Sequence, residues 1–399
     1  MDTVYLDHAA TSFPKAPGVA EAMSAYLLHN GANVNRGTYH RASSAAMTVL
    51  ETRLLLKELF HFPGEETHVL FTPGDTYGLN QILCGFLRPG DHVIVSSMEH
   101  NAVMRPLTAL RELGVTFSRI PADRAGHTEA RDLLPLIREN TRLVMVSHAS
   151  NVSGTLFPLH ETAELCHRAG IPLAVDAAQT AGHLDIDFEK LHLAALSVPG
   201  HKGLLGPQGI GALLLDAAFA ERLRPLVTGG TGSASDSELQ PAYMPDRFES
   251  GTLNLPGIFG LHAALDYLLK TGVRTLGQRE QALTGLFLNE LNTLPVHIAG
   301  PASCEEQVGV VSLDFTDNGL DNGEIAYLLE RDFGIMTRVG LHCAPNAHRT
   351  LGTFPQGSVR FSFGFQTTEE DLFTALRAIR TLLDSAPHTL DQTQSHERR

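Results

Sequence analysis

The chain has 399 residues, of which 43% are hydrophobic and 19% charged, and its formal net charge is −14. That length exceeds one ordinary core, so two domains are expected, and the acidity argues against a nucleic-acid binder, which needs a basic face. No apolar run approaches the roughly 20 residues that cross a bilayer, and the acidic start Met1–Asp7 is no signal peptide. Cys84, Cys166, Cys304 and Cys343 show no CxxC pair or metal spacing, and the 20 histidines include no HExxH pattern. A reduced, cytoplasmic protein without a metal is the expectation.

Helical periodicity marks residues 20–28 and 45–60. From about 66 to 215 the pattern alternates. Strands are predicted at 67–72, 92–96, 116–120, 143–147, 172–175, 194–198 and 211–215, with helices at 77–87, 102–113, 129–137 and 159–169. Strand–helix alternation implies parallel pairing with helices on the faces. A Gly/Ser-rich stretch, 228–237, changes the texture. Beyond it come helices at 258–269, 275–291, 322–333 and 368–383, and strands at 309–315 and 359–363. The expected fold is α/β. A larger domain, residues 15–256, carries a mostly parallel seven-stranded sheet. A smaller α+β domain takes 1–14 and 257–384, and 385–399 is a polar tail expected to be disordered.

Parallel sheets carry ligands outside the carboxyl ends of their strands. The apolar run 171–175 ends in Asp176-Ala177-Ala178-Gln179, and 196–199 leads into Gly200-His201-Lys202. An acid and an amine therefore meet at one sheet edge. That pair suits pyridoxal phosphate (PLP): lysine holds the cofactor as a Schiff base, and the carboxylate keeps the pyridine nitrogen protonated. Gly74-Asp75-Thr76 lies between a strand and a helix, whose N-terminus suits either phosphate or a simple helix cap. Asp75 is an awkward neighbour for a phosphate dianion, so its carboxylate is expected to point away or cap the helix. His100 follows another strand, where an imidazole can stack on a ring, exchange protons or serve structure alone. Asn151 and Gln179 are placed to reach the cofactor's phenolic oxygen, Asn151 alternatively the substrate. Cys343, in Arg338-Val339-Gly340-Leu341-His342-Cys343-Ala344-Pro345, is either a mobile loop nucleophile or an inert thiol. Arg360 interrupts an apolar strand, as a carboxylate clamp or a structural ion pair.

Together these segments resemble the class V aminotransferases among fold-type I PLP enzymes, and most of all the group II cysteine desulfurases and selenocysteine lyases. The resemblance includes Tyr5-Leu6-Asp7-His8-Ala9-Ala10-Thr11, Asn35-Arg36-Gly37, Glu99-His100, Asn151-Val152-Ser153-Gly154 and Gly200-His201-Lys202. It also includes Arg247–Thr252 and Arg338 with His342-Cys343-Ala344. It implies that Lys202 holds PLP, Asp176 pairs with the pyridinium and His100 stacks on the ring. Thr76 and His201 hold the phosphate, and Thr252 reaches a partner's phosphate in a homodimer with shared sites. Arg360 binds the substrate carboxylate, with Arg338 beside it, and Cys343 takes sulfur from L-cysteine as a persulfide, passing it to a thiol or an acceptor protein. Two positions depart from the pattern. Pro199 stands where a phosphate-binding hydroxyl is usual, with Ser197 as the candidate replacement, and Leu341 stands where many relatives have a second histidine. Lysis of L-selenocysteine, another class V activity such as transamination or direct C–S lysis, and a non-catalytic scaffold for a sulfur carrier are the competing expectations.

Overall fold

Strands buried on both faces read as apolar runs, and most of those between residues 69 and 215 do so, the edge strand 116–120 being the exception. The computed structural model describes residues 3–34 and 37–385, so Asn35-Arg36 and the expected tail beyond 385 lie outside the described residues. In chain order the first elements are β1 (Val4–Tyr5), α1 (Val19–Ala25) with a π-helical turn to Asn30, and α2 (His40–Leu59). Next come β2 (Val69–Thr72), α3 (Asp75–Phe86), β3 (His92–Ser96), α4 (Asn101–Leu110), β4 (Thr116–Ile120), β5 (Thr141–Ser147) and α5 (Leu159–Ala169). β6 (Leu173–Asp176), β7 (Ala195–Pro199), β8 (Gly211–Leu215) and α6 (Ala217–Arg222) complete this region. The last part holds α7 (Leu255–Thr271), α8 (Val273–Leu291), β9 (His297–Ile298), β10 (Val310–Asp314), α9 (Asn322–Phe333), β11 (Ile335–Met336), β12 (Arg338–Gly340), α10 (Pro345–Leu351), β13 (Ser358–Ser362) and α11 (Glu369–Asp384).

The large sheet has the order β2-β8-β7-β6-β5-β3-β4. All pairs are parallel except those of β8, which runs antiparallel to β7 and β2. Residues 200–210 join β7 to β8 without a helix, too short a path for a parallel crossover. Alternate side chains of β3 enter opposite cores. Ile94 packs with Val144, Val175 and Leu196 under α2 and α7. Val93 and Val95 pack with Leu79, Ile82 and Leu83 of α3 and Leu107 of α4.

A smaller antiparallel sheet, β12-β13-β10-β9, and the parallel pair β1-β11 surround a third core. Val4 and Leu6 join Phe287 of α8, Leu313 of β10, Leu329 of α9, Phe361 of β13 and Ile379 of α11 there. The N-terminal segment thus lies with the C-terminal elements. Helix α7 does not: Ile258, Leu261, Ala264, Leu265 and Leu268 are buried in the large sheet's core. The expected helix at 129–137 is a 3₁₀ turn, Ala130–Leu136, interrupted by Pro135, which has no N–H to donate.

Candidate active site

The carboxyl ends of β2, β3, β5, β6 and β7 surround a cavity of about 490 Å3. Gly74, Asp75, Thr76, His100, Asn151, Asp176, Gln179, His201 and Lys202 all line it. Nine sequence-predicted residues, scattered over 129 positions from 74 to 202, are therefore gathered by strand order alone. The turn that carries Lys202 is clamped from the N-terminal segment. The carbonyl of His201 accepts from Ser12 N at 2.9 Å, from Thr11 Oγ1 and Ser12 Oγ at 3.1 Å, and from Lys15 Nζ at 3.1 Å.

Burial lowers the pKa of the Lys202 ammonium, and the carboxylates of Asp176 and Asp75 oppose that shift. A lysine so placed is poised between cation and nucleophilic amine. Asp176 is held on β6, with Ala178 N donating to Oδ1 at 2.9 Å and Ser147 Oγ lying 3.2 Å from Oδ2.

For Asp75 the structure decides an alternative. It does not cap α3, whose N-terminus has no side-chain cap, but turns to β7. Its Oδ1 accepts from Ser197 Oγ at 2.5 Å, and burial together with the charge of Asp176 pushes its carboxyl well up, toward the protonated form. Ser197 is thereby committed to Asp75, and no hydroxyl of β7 is free to replace the one missing at Pro199.

His100 is the N-cap of α4: Nδ1 accepts from Ala102 N at 3.0 Å. Nδ1 is thus unprotonated and Nε2 carries the hydrogen. Burial and the charge of Lys202 push its pKa down to about 4, so the ring is neutral and fixed in plane. His201 is likewise pushed down to about 4 by burial, and its Nδ1 has no partner.

Asn151 donates through Nδ2 to the His342 carbonyl at 2.7 Å, while its buried Oδ1 has no partner. The free atom is an acceptor and suits a donor, such as a substrate amine, rather than a phenolic anion. Gln179 donates to the Ala9 carbonyl at 3.2 Å.

Arg360, Arg338, Cys343 and Thr252 do not line the cavity. Arg360 is buried, with Nη1 on the Asn151 carbonyl at 2.9 Å, Nη2 on Asp7 Oδ1 at 3.0 Å and Nε without a partner. Arg338 is half-exposed and forks onto the same Asp7, at 2.9 and 3.1 Å to Oδ2. Cys343 is exposed, but it is not on a loose loop. His342 and Cys343 form a left-handed pair, φ 46° and 57°, between β12 and α10. Asn101 N donates to the Cys343 carbonyl at 2.8 Å, and His342 Nε2 lies 3.1 Å from Ser358 Oγ. The thiol is displayed by a short anchored turn. Thr252 is exposed.

Several residues of the site carried no assigned role in the sequence: Asp7, Glu99, Ser147 and the Thr11-Ser12-Lys15 clamp. Asp7 and Glu99 stand in two of the motifs, but a motif does not reveal which side chain holds which.

An open α/β sheet with an amine, two acids and an uncapped helix N-terminus at its carboxyl edge defines a cofactor-enzyme architecture. The class-V aminotransferase profile matches residues 4–374, and the chain belongs to that family. It is 32% identical over 378 residues to a probable cysteine desulfurase of Methanothermobacter thermautotrophicus, covering 93% of this chain and 92% of that one. It is 33% identical over 392 residues to a cysteine desulfurase of Escherichia coli, covering 95% and 94%. Among solved structures, apo cysteine desulfurase from Thermococcus onnurineus superposes with a TM-score of 0.89 at 31% identity, covering 96% and 95%. The Escherichia coli cysteine desulfurase CsdA, in its S-sulfonic acid form, gives 0.86 at 27%, covering 96% of each chain. The fold is that of these fold-type I enzymes.

Proposed function

We propose that the chain is a PLP-dependent cysteine desulfurase that converts L-cysteine to L-alanine and carries the sulfur on Cys343. The observation that carries this is the juxtaposition of a partly buried amine, Lys202, with Asp176 in a cavity whose wall, at Asn151, is tied to the turn displaying Cys343. The donor set fits the cofactor. The uncapped N-terminus of α3, the Thr76 hydroxyl and the unpartnered His201 Nδ1 suit a phosphate, Asp176 suits a pyridinium, and the neutral His100 ring suits stacking.

When bound, PLP supplies an electron sink for charge at the substrate α-carbon. The protein does the rest. Lys202, whose ammonium gives up its proton more readily because of burial, is the covalent anchor and the base for the α-proton. Arg360 receives the substrate carboxylate through its free Nε, and Asn151 Oδ1 receives the amine. The Cys343 thiolate then attacks the substrate sulfur. The C–S bond breaks, its electron pair stays with the carbon fragment, and that fragment gains a proton at Cβ, matching the one the Cys343 thiol gave up, regains its α-proton from Lys202 and leaves as alanine.

The same reading includes a homodimer. Thr252 is exposed and outside its own cavity, and large apolar side chains stand in water on the same chain: Leu27, Leu28, Met47, Leu54, Leu239 and Tyr243. All four cysteines are free, which suits a reducing, cytoplasmic compartment.

Borohydride reduction and peptide mapping should place the pyridoxyl group on Lys202; a label on another lysine sinks the assignment. Cys343→Ala should retain the cofactor band and its response to L-cysteine, yet lose the persulfide and most alanine release. Alanine from L-cysteine at the parent rate would make Cys343 a bystander and the enzyme a direct lyase. Parallel assays with L-selenocysteine separate the desulfurase from a selenium-specific lyase.

A further inference from the structure

From Asp176 in the cavity wall a chain of oxygen atoms runs through Ser147 to Glu99, and the proposed reaction gives the last two no role. Ser147, the last residue of β5, places Oγ 2.8 Å from Glu99 Oε2 and 3.2 Å from Asp176 Oδ2. Glu99 Oε1 accepts the Ser96 hydroxyl at 2.6 Å, the N–H of Ser147 at 3.0 Å and that of Ser96 at 3.3 Å. Glu99 is 1% exposed and Asp176 4%.

The proton count orients this chain. A hydroxyl has one hydrogen, so Ser147 cannot donate to both carboxylates at once. With both ionised, Glu99 Oε2 and Asp176 Oδ2 compete for that one hydrogen, and Asp176 is left with Ala178 N and the carboxyl of Asp75 as its other partners. A proton on Glu99 Oε2 resolves the conflict. Glu99 then donates to Ser147 Oγ, Ser147 donates to Asp176 Oδ2, and Glu99 Oε1 keeps its three donors. Placing the proton on Asp176 instead would neutralise the acid nearest the Lys202 ammonium, where a negative charge is favoured.

We propose that Glu99 is a positioning residue that holds a proton and, through Ser147, gives Asp176 the hydrogen bond that keeps its carboxylate ionised and aimed at the ring nitrogen of the bound cofactor. This rests on Asp176 being the partner of that nitrogen. Burial pushes the Glu99 carboxyl up to about 7, the hydrogen bonds from Ser96 and Ser147 oppose it and the charge of Asp176 adds to it. Around Asp176 stand Asp75 of α3, Lys202 after β7 and His100 before α4; of these charges, only that of Asp176 itself acts on Glu99.

Infrared difference spectra of the holoenzyme test the proton directly. At mildly acidic pH the parent should show a buried protonated-carboxyl band that Glu99→Gln lacks and Ser147→Ala shifts. The cofactor's visible band should titrate near neutrality in the parent and lose that step in Glu99→Gln, whose amide donates at every pH. Ser147→Ala should weaken cofactor retention about tenfold, the worth of one hydrogen bond to a charged group. Should Glu99→Gln not fold, the parent band and its shift in Ser147→Ala decide the matter. An unshifted band in Ser147→Ala, or an unchanged pH profile in Glu99→Gln, overturns the relay while Lys202 still carries the cofactor. Absence of cofactor on Lys202 would instead overturn the functional reading itself.

Discussion

Arg360 shows what a single position can and cannot announce. A guanidinium in an apolar strand is legible as an anomaly. Its partners are not, because Asp7 lies 353 residues away and Asn151 lies 209 away. The structure makes it a structural ion pair, with Nη1 and Nη2 engaged, and leaves a buried Nε without a partner for the clamp proposed above. A lysine cannot hold Asp7 and the Asn151 carbonyl while forking a third group. Arg360→Lys should therefore raise KM for L-cysteine about 10- to 100-fold, the equivalent of one charged hydrogen bond, with cofactor content unchanged. Steady-state kinetics alongside absorbance check this, and an unaltered KM removes Arg360 from substrate binding. Whether Asp75 caps its helix is not legible at this scale, because its partner is a hydroxyl 122 residues away.

At the scale of elements, α3 seats one wall of the cavity on the sheet. Gly78 faces the Ser197 hydroxyl so closely that an added Cβ would collide with Oγ. Gly78→Ala must therefore push α3 off β7 or break the Ser197–Asp75 hydrogen bond. Overpacking of this kind costs about 1–3 kcal/mol. The urea midpoint should fall accordingly, and the variant should lose cofactor faster on dialysis. Full stability with parental retention would show that α3 can move freely. The long helices and the strands between 92 and 215 were legible because their periodicity repeats over several turns or pairs. The short strands β1, β9, β11 and β12 were not, since two or three residues have no period and their pairing is long-range. The direction of β8 followed from a helix-free connection, a feature the strand pattern alone does not weigh.

At the scale of the molecule, a charged pair spans the seam between the two cores. His183, in the loop after β6, lies 2.7 Å from Glu280 of α8, and Glu280 Oε1 also accepts Gly309 N at 2.9 Å. An added Cβ on Gly203, beside Lys202, would collide with the His183 ring, so the pair also backs the catalytic turn. Burial opposes the imidazolium, but the Glu280 charge and hydrogen bond outweigh it and raise the His183 pKa. A raised folded-state pKa stabilises the fold fully below the unfolded value, near 6.5, and that contribution is lost as pH rises through the folded value. The melting temperature should thus decline as pH rises above about 6.5, and His183→Gln should flatten the decline. Thermal melts of parent and variant at several pH values check it; parallel curves would mean the pair is neutral in effect. Fully active monomers, seen by sedimentation at assay concentration, would contradict the shared-site dimer.

Taken alone, the sequence determined the α/β class, the succession of buried strands and the meeting of Asp176 with Lys202, because hydrophobic period and strand ends are local properties. It also singled out Cys343 and His100 by type and setting. Only the tertiary structure decided which groups compete for which protons. Ser147 stands between Glu99 and Asp176, Asp7 between two arginines, and Ser197 beside Asp75. It also decided that α7 belongs to the larger core and that the Cys343 turn is anchored rather than loose. Hydrogen bonds between buried polar groups depend on ångström distances across strands far apart in the chain, and no periodicity encodes those distances.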